Sequence, residues 1–246
     1  MMAIRDTEYQ PTGMLRGALR IVGSAAAAFA VVGLLSLASM AFRSERDAVN
    51  KIDVSKISQV AIRSSNSDLK IVEGKGDQLI IKARVTDGLT STTYELHRVD
   101  NQIEIVGRCV KWLSPGCGVK ATVEVPKDYP LLIATGSADV RAEGLKDRVV
   151  TIGTGSGNVV GHKLAVQEFS VDSDDGDVST TFARQPYALK VTTKDGDITA
   201  TIPAGKIRYL VNVHSTEGKV SSNLVDRPNG RGIIRLLSDS GDITVH

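Results

Sequence analysis

The sequence has few aromatic residues and almost no net charge, and each shortage argues against a class of function. Aromatic residues make up 4% of the chain, with a single tryptophan, Trp112. This is little for a cleft that binds sugars or peptides by stacking on aromatic rings. The net charge is +2, and acidic and basic residues are interspersed along the chain. The chain therefore lacks the basic field that attracts nucleic acids, and we expect no nucleic-acid partner.

Glycine and small polar residues are abundant instead. The chain has 23 glycines, together with many serine, threonine, aspartate and valine residues. Valine and threonine favour β-strands, whereas glycine, aspartate and serine favour tight turns. The composition predicts an all-β protein of short strands joined by turns.

Residues 21–42 form an apolar run of 22 residues without a charged side chain. A helix of this length spans roughly 33 Å, enough to cross a hydrocarbon core of about 30 Å. We predict a single-pass signal anchor at residues 21–42, a short cytoplasmic tail at residues 1–20, and residues 43–246 on the extracytoplasmic side of the cell membrane. Residues 43–56 are charged and have few apolar positions, and they are predicted to be a linker.

A cleaved secretory signal is the alternative to an anchor. Ser39 and Ala41 place small residues where a signal peptidase requires them, ahead of Phe42. The apolar run is longer than the roughly 7–15 residues of most secretory signals, which favours the anchor. Both alternatives send the rest of the chain across the membrane.

The two cysteines, Cys109 and Cys117, flank a turn signal at residues 114–116. Outside the cytoplasm, an even pair at this spacing predicts a disulfide that pins the loop. The spacing does not match a zinc knuckle, and further ligands are not nearby in the sequence. A catalytic thiol is the alternative, although no histidine in the same segment suggests its activation.

Six copies of a short unit repeat along the second half of the chain. Each has a small residue, then a polar residue and then Val or Ile, and successive copies start 19, 19, 20, 22 and 23 residues apart. Apolar residues stand five and seven positions before each small residue, for example Ile152 and Val150 before Gly157. This period-two alternation predicts strands with one buried face. The copies begin at Ala138, Gly157, Gly176, Gly196, Gly218 and Gly241.

The residues of the unit have predicted structural roles. We expect glycine because the turn requires a positive φ, and Asp or Asn beside it because the side chain hydrogen-bonds turn amides. One unit of about 20 residues cannot bury its own apolar face, whereas stacked units form a continuous core. Residues 127–246 are therefore predicted to form a right-handed β-helix or β-roll-like solenoid. A twisted β-sandwich, with the strands of each repeat shared between two sheets, is the alternative.

Residues 57–126 contain longer alternating strands, and residues 100–101, Asp-Asn, are a hairpin signal between two of them. We predict that this region is an antiparallel cap, because a solenoid must cover its exposed end. An earlier copy of the repeat is also visible here, with Val60, Ile62 and Leu69 in the same frame.

Three sequence features resemble the bacterial putative-adhesin domain family. They are the CVKWLSPGC loop, the VEVPKDYPL junction at residues 123–131, and the recurring SDDGDV, TKDGDI and SDSGDI units. The resemblance covers roughly residues 57–246. It implies a β-solenoid-like domain, often carried behind one membrane span, and a role in adhesion or, for some relatives, in envelope-stress sensing. No functional residues carry over from the family to this chain.

A cluster of carboxylates is the sharpest candidate for a ligand site. Asp172, Asp174, Asp175 and Asp177 are dense enough to suggest calcium, which some β-rolls bind in such turns. The interpretation that we prefer is a solvated turn without metal or cofactor, because Asp-Gly turns form without one. Residues 153–157, Gly-Thr-Gly-Ser-Gly, lack the Lys-Ser/Thr and the following helix of a phosphate loop.

The sequence therefore predicts a non-enzymatic, membrane-anchored binding or adhesion module of the bacterial cell envelope. Its partner is expected to be an envelope component or another membrane protein. An accessory or sensor subunit of an envelope-stress system is the first alternative. A carbohydrate-active enzyme is the second, although the four histidines, His97, His162, His214 and His246, are scattered without a ligand or catalytic spacing.

Overall fold

The structure is a computed structural model that describes residues 43–246 apart from residues 100, 101, 111–113 and 115. The predicted tail and signal anchor, residues 1–42, lie outside the described residues. No helix long and apolar enough to cross a membrane is found in the described part of the chain.

The described residues form β-strands without a helix, as the composition predicts. The strands are β1 (Ser44–Asp53), β2 (Val60–Ser64), β3 (Asp68–Glu73), β4 (Gln78–Asp87), β5 (Thr93–Val99), β6 (Gln102–Arg108), β7 (Gly118–Val125), β8 (Leu131–Thr135), β9 (Val140–Glu143), β10 (Val149–Thr154), β11 (Val159–Leu164), β12 (Glu168–Ser173), β13 (Val178–Phe182), β14 (Ala188–Thr193), β15 (Ile198–Thr201), β16 (Tyr209–Ser215), β17 (Val220–Ser222), β18 (Gly232–Ser238) and β19 (Ile243–Val245).

The strands form two sheets. Sheet A has ten strands in the order β1-β4-β7-β3-β9-β11-β13-β15-β19-β17. Sheet B has nine strands in the order β16-β18-β14-β12-β10-β8-β2-β6-β5. Among the described residues, each strand pairs with at least one other, and the buried apolar side chains form two core clusters.

Each repeat contributes one strand to each sheet, and repeats that are neighbours in space pair in parallel. In sheet B, Ile152 of β10 is the register partner of Ile133 in β8 and of Val171 in β12. These are the apolar positions that the repeat aligns, and all three side chains are buried. The all-β, solenoid-like fold is therefore confirmed. The sharing of each repeat between two sheets, which we expected for the sandwich alternative, is present as well.

The repeats do not stack in the order of the chain. The last repeat, β18 and β19, lies between the fourth, β14 and β15, and the fifth, β16 and β17. The fifth repeat thus forms the free end of both sheets.

The region from residue 57 to residue 126 combines two kinds of pairing. Strands β2 and β3 are the earlier copy of the repeat, and they pair in parallel with β8 and β9 as expected for a repeat. Strands β6 and β7 form a further parallel rung beside them. Among the described strands, antiparallel pairing is confined to three pairs, β1 with β4, β4 with β7, and β5 with β6. The predicted antiparallel cap therefore lies at this end of the stack, but parallel rungs occupy part of its residues.

Residues 44–53 are not a linker, and this prediction is wrong. They form strand β1, whose ten residues pair in antiparallel register with β4. The strand lies at an edge of sheet A and has no fully buried side chain. The alternation of apolar residues that reveals an inner strand is therefore absent from its sequence.

The repeat glycines have a different cause from the one predicted. Among the described glycines, those with a positive φ are Gly116, Gly118 and Gly144, and none of these is a repeat glycine. Instead, a Cβ atom on Gly176 would lie 2.1 Å from the carbonyl oxygen of Gly157 in the next rung. The same close approach recurs at Gly157, Gly196, Gly218 and Gly241, at 2.0 to 2.2 Å. Glycine is required because consecutive turns stack without room for a side chain.

Candidate functional site

Two repeated sets of hydrogen bonds, which we call ladders, stabilise the turns that follow the sheet B strands. In the first, the Asp177 carboxylate accepts the Asp197 amide at 2.9 Å, and the Asp197 carboxylate accepts the Asp242 amide at 2.7 Å. In the second, a buried Ser or Thr three positions before each repeat glycine accepts the amide of that glycine, as Ser173 does from Gly176 at 3.0 Å. The predicted hydrogen bonding of turn amides by Asp is thus present, and it joins neighbouring rungs.

The four carboxylates considered for calcium are separated by these contacts. Asp172 lies exposed on β12, Asp177 belongs to the carboxylate ladder, and Asp174 forms an ion pair with Lys194 at 2.5 Å. Across the described residues, no group of three or more His, Cys, Asp or Glu side chains is placed to hold a metal ion. The four residues thus occupy a strand and a turn without forming a common ligand shell.

The two cysteines form the predicted disulfide. Their Cα atoms are 6.2 Å apart, and the bond joins the end of β6 to the start of β7. Residues 111–113 of the enclosed loop, including Trp112, lie outside the described residues. The disulfide holds together the two strands of the rung that follows the antiparallel end.

The other candidates from the sequence have structural roles. Residues 153–157 form a repeat turn, in which the Thr154 hydroxyl accepts the Gly157 amide at 3.1 Å. The described histidines do not cluster: His97 lies 3.1 Å from Glu95, and His162 lies 3.3 Å from the Thr181 hydroxyl.

The best candidate for a binding site is a groove of about 740 Å³ on the outer face of sheet A. It extends over six neighbouring strands, β1, β4, β7, β3, β9 and β11. The outward side chains along its centre follow one row across the sheet, because each is the register partner of the next. This row is Val49, Lys82, Thr122, Lys70, Arg141 and Val160.

Charges of both signs line this groove, and most of them are paired. Lys82 pairs with Glu124, and Lys70 pairs with Glu143 at 2.9 Å. Arg84 lies 3.3 Å from Asp47. The hydrogen bond and charge of Lys70, with the charge of Arg141, lower the pKa of Glu143, so this carboxylate is held in its ionised form.

Lys120 and Thr122 give the groove two further features. Lys120 is exposed and makes no ion pair within the described part of the chain. Thr122 is the short side chain in the central row, between Lys82 and Lys70. The groove therefore offers one uncommitted cation and a low centre flanked by long charged side chains.

Sequence reasoning did not find the groove, and it did not find the Ser/Thr ladder. The groove is assembled from strands far apart in the chain, including β1, which had no strand signal. The ladder, in contrast, has a visible signal: Ser or Thr stands three positions before the small residue in each repeat, at Thr135, Thr154, Ser173, Thr193, Ser215 and Ser238.

Comparison with known proteins finds a family model that resembles the repeat region. Residues 129–246 match the family model described as Toastrack DUF4097. No curated protein matches the chain.

Three solved structures are similar to the chain at low identity. A putative cell adhesion protein from Clostridium sporogenes has 11% identity and a TM-score of 0.48, over 82% of this chain and 99% of that one. A putative adhesin from Bacteroides fragilis has 11% identity and a TM-score of 0.37, over 82% and 98%. A putative lipid binding protein from Parabacteroides distasonis has 11% identity and a TM-score of 0.34, over 80% and 96%.

The resemblance that the repeats carried is thus confirmed for the part of the chain that the family model covers. Residues 129–246 are thus similar to the Toastrack domain of the DUF4097 family.

Proposed function

We propose that this protein is a non-enzymatic binding module of the bacterial cell envelope, anchored by residues 21–42. Its binding site is the groove on the outer face of sheet A, and its partner is a protein segment with charges of both signs. The observation that carries the proposal is the groove itself, which crosses six strands and is lined by both cations and carboxylates.

The charge pattern favours a partner with mixed charge. A partner of one sign would meet like charges as well as opposite ones in the groove, and such juxtapositions of like charge are costly in an interface. A segment with alternating charges replaces the exposed ion pairs with intermolecular ones. Exposed ion pairs contribute little to the free energy of unfolding, typically about 0–1 kcal/mol each. Exchanging their partners on binding therefore costs the folded protein little stability.

The electrostatics of the groove argue for binding rather than acid–base catalysis. A general acid or base works best with a pKa near the working pH. The pKa of Glu143 is instead lowered by Lys70 and Arg141, away from neutral pH. The open face also does not enclose a reacting group away from water.

The disulfide supports a location outside the cytoplasm. Such bonds persist in oxidising compartments and are rare where thiols are kept reduced. The Cys109–Cys117 bond is compatible with the extracytoplasmic placement that the apolar run predicts.

The proposal is tested by co-sedimentation of residues 43–246 with washed cell envelopes. The test variant is Thr122→Gln, which fills the low centre of the groove without adding charge. Thr151→Gln is the matched control, because Thr151 faces outward from β10 in sheet B and has similar partial exposure. Both variants are first checked for an unchanged melting temperature.

We expect saturable pelleting of the unchanged protein and of Thr151→Gln, and at least a tenfold loss of affinity for Thr122→Gln. That loss corresponds to about 1.4 kcal/mol. Pelleting that does not saturate, or equal affinity of the two variants, would contradict a binding site in the groove.

A further inference from the structure

The outer face of sheet B carries a second, different surface at the free end of the stack. We call it the arginine–aliphatic face, and it consists of Arg208, Leu210, Arg231, Ile233 and Arg235. All five residues are exposed, with Leu210 at 44% and Ile233 at 42% of their full accessible area.

Strand register places these five side chains together. Leu210 of β16 and Ile233 of β18 are register partners. Arg208 and Arg231 each stand two positions earlier, and Arg235 stands two positions after Ile233, so alternation directs them outward on the same side. The Gly232 amide donates to the Arg208 carbonyl at 3.0 Å, which keeps the two segments adjacent where β16 and β18 begin.

The positive charge of this face is not neutralised. None of its three arginines makes an ion pair within the described residues. Arg227 adds a further cation beside this face. Its backbone amide donates to the carbonyl of Tyr209 in β16 at 2.8 Å, which holds the residue next to that strand. The neighbouring Asp226 carboxylate is already engaged as the acceptor of the Val211 amide at 2.9 Å.

A hollow lies beside the arginine–aliphatic face and extends it. It is lined by Lys206, Ile207 and Tyr187, and the Tyr187 carbonyl accepts the Ile233 amide at 2.9 Å. Tyr187 is 62% exposed. Strand β16 is the last strand of sheet B, so no further strand among those described covers this corner.

Basic and aliphatic side chains on one open face match the chemistry of an anionic bilayer surface. Guanidinium groups bind phosphate oxygens in a bidentate manner, and aliphatic or tyrosine side chains enter the region between headgroups and acyl chains. We propose that the arginine–aliphatic face binds the surface of membranes that contain anionic phospholipids. A soluble polyanion would account for the arginines, but it would not use Leu210 and Ile233.

The test is co-sedimentation of residues 43–246 with vesicles of phosphatidylglycerol mixed into phosphatidylcholine, and with vesicles of phosphatidylcholine alone. The charge variant is Arg231→Glu with Arg235→Glu. Its matched control is Lys75→Glu with Lys127→Glu, which changes the net charge equally in exposed turns at the other end of the body. A third variant, Leu210→Ser with Ile233→Ser, removes the aliphatic contribution. Melting temperatures establish that each variant is folded.

We expect binding to the anionic vesicles only. A basic residue near an anionic surface contributes about fivefold in affinity, so the double arginine variant is expected to bind at least about 25-fold more weakly. The lysine control is expected to bind like the unchanged protein. The Leu210/Ile233 variant is expected to lose vesicle binding but to retain any binding to soluble polyphosphate.

Three results would overturn the proposal. The first is equal binding to neutral vesicles, and the second is an equal loss in the lysine control, which would assign the effect to net charge. The third is full vesicle binding by the Leu210/Ile233 variant, which would assign the face to soluble polyanions. Failure of the groove in sheet A would leave these results unaffected, because the variants lie on the opposite sheet.

Discussion

At the scale of single residues, the repeat glycines show how sheet stacking restricts side chains. Backbone carbonyls of one turn occupy the place where the Cβ atom of the next turn would stand, as at Gly176. This clash involves main-chain atoms that belong to hydrogen-bonded strands on both sides, so neither partner can move aside without disturbing the pairing.

Replacing Gly176 with alanine is therefore expected to destabilise the protein. The added Cβ would lie 2.1 Å from the Gly157 carbonyl oxygen, and we expect a loss of about 1–3 kcal/mol in the free energy of unfolding. Gly153→Ala is the control, because nothing lies within 4 Å of its Cβ position. Denaturant unfolding measures both. An equal loss of stability in the two variants would show that the close approach is not the cause.

Tyr209 links the stability of the body to alkaline pH. Its side chain is buried, and its hydroxyl donates to the Pro186 carbonyl at 2.7 Å. Burial raises the pKa of Tyr209 to about 12, from an ordinary value of 10.0. The folded state therefore keeps a proton that the unfolded state loses, so the stabilisation is complete below pH 10 and is lost between pH 10 and 12.

The unfolding free energy should accordingly fall by about 2–3 kcal/mol across that range, in addition to any change from other groups. Tyr209→Phe should lose about 1 kcal/mol at neutral pH with the hydrogen bond, and its stability should depend less on alkaline pH. The difference between the two proteins, measured by denaturant unfolding at several pH values, isolates this tyrosine. Parallel pH profiles would contradict the assignment.

At the scale of elements, the carboxylate ladder combines favourable hydrogen bonds with repulsion. Asp177, Asp197 and Asp242 occupy neighbouring rungs, which are about 4.8 Å apart, and each accepts an amide from the next rung. Asn158 occupies the same position in its own rung and accepts the Asp177 amide at 3.0 Å. An amide side chain therefore supplies the hydrogen bond without the charge.

Asp197→Asn is expected to stabilise the protein by about 0.5 kcal/mol at low salt, because it removes a like charge between two others. Asp197→Ala is expected to cost about 1 kcal/mol, because the Asp242 amide loses its acceptor. The gain in the asparagine variant should shrink as salt screens the carboxylates. Unfolding at low and high ionic strength would refute this account if both variants lost the same stability.

The buried side chain of Arg148 connects three segments of the chain. The Arg148 side chain is inaccessible, and its guanidinium pairs with Glu73 at 2.7 Å and donates to the Pro126 and Lys146 carbonyls. Burial lowers the pKa of Arg148, and the charge of Glu73 opposes that effect. The pair therefore joins the ends of β3 and β7 to the start of β10.

Arg148→Met should destabilise the protein by about 3 kcal/mol or more, because Glu73 and two carbonyls lose their partner away from water. The control is Arg184→Met, which breaks an exposed pair with Asp147 and should cost less than about 1 kcal/mol. Thermal or denaturant unfolding distinguishes them. Similar small losses at the two sites would mean that water replaces the Arg148 contacts.

At the scale of the whole molecule, the repeat made the solenoid-like fold predictable. The alignment of Ile133, Ile152 and Val171 in sequence is also their register in sheet B, because one buried residue per rung must meet its equivalent in the next. The Cys109–Cys117 bond was also predictable, because the two cysteines are close together in the sequence. Strand β1 was not, because its side chains are exposed or only half-buried, so a clear apolar alternation is absent from its sequence.

The order of the rungs was not predictable, because the repeats share one pattern. Val191 of β14 can pair equally well with Val213 of β16 or with Leu236 of β18, and the structure selects Leu236. The groove and the arginine–aliphatic face depend on this spatial order, and they are invisible to a pattern that only identifies strands.

Hydrogen exchange tests that order directly. Strand β18 is paired on both sides, with β14 and β16, whereas β16 is paired only with β18. Exchange from edge strands needs only local opening, whereas exchange from inner strands approaches the global unfolding free energy. We therefore expect slower amide exchange in β18 than in β16, although β18 is the later strand in the chain. Stacking in chain order would leave β18 at the edge and reverse the two rates, so greater protection of β16 would refute the insertion of the last repeat between the fourth and the fifth.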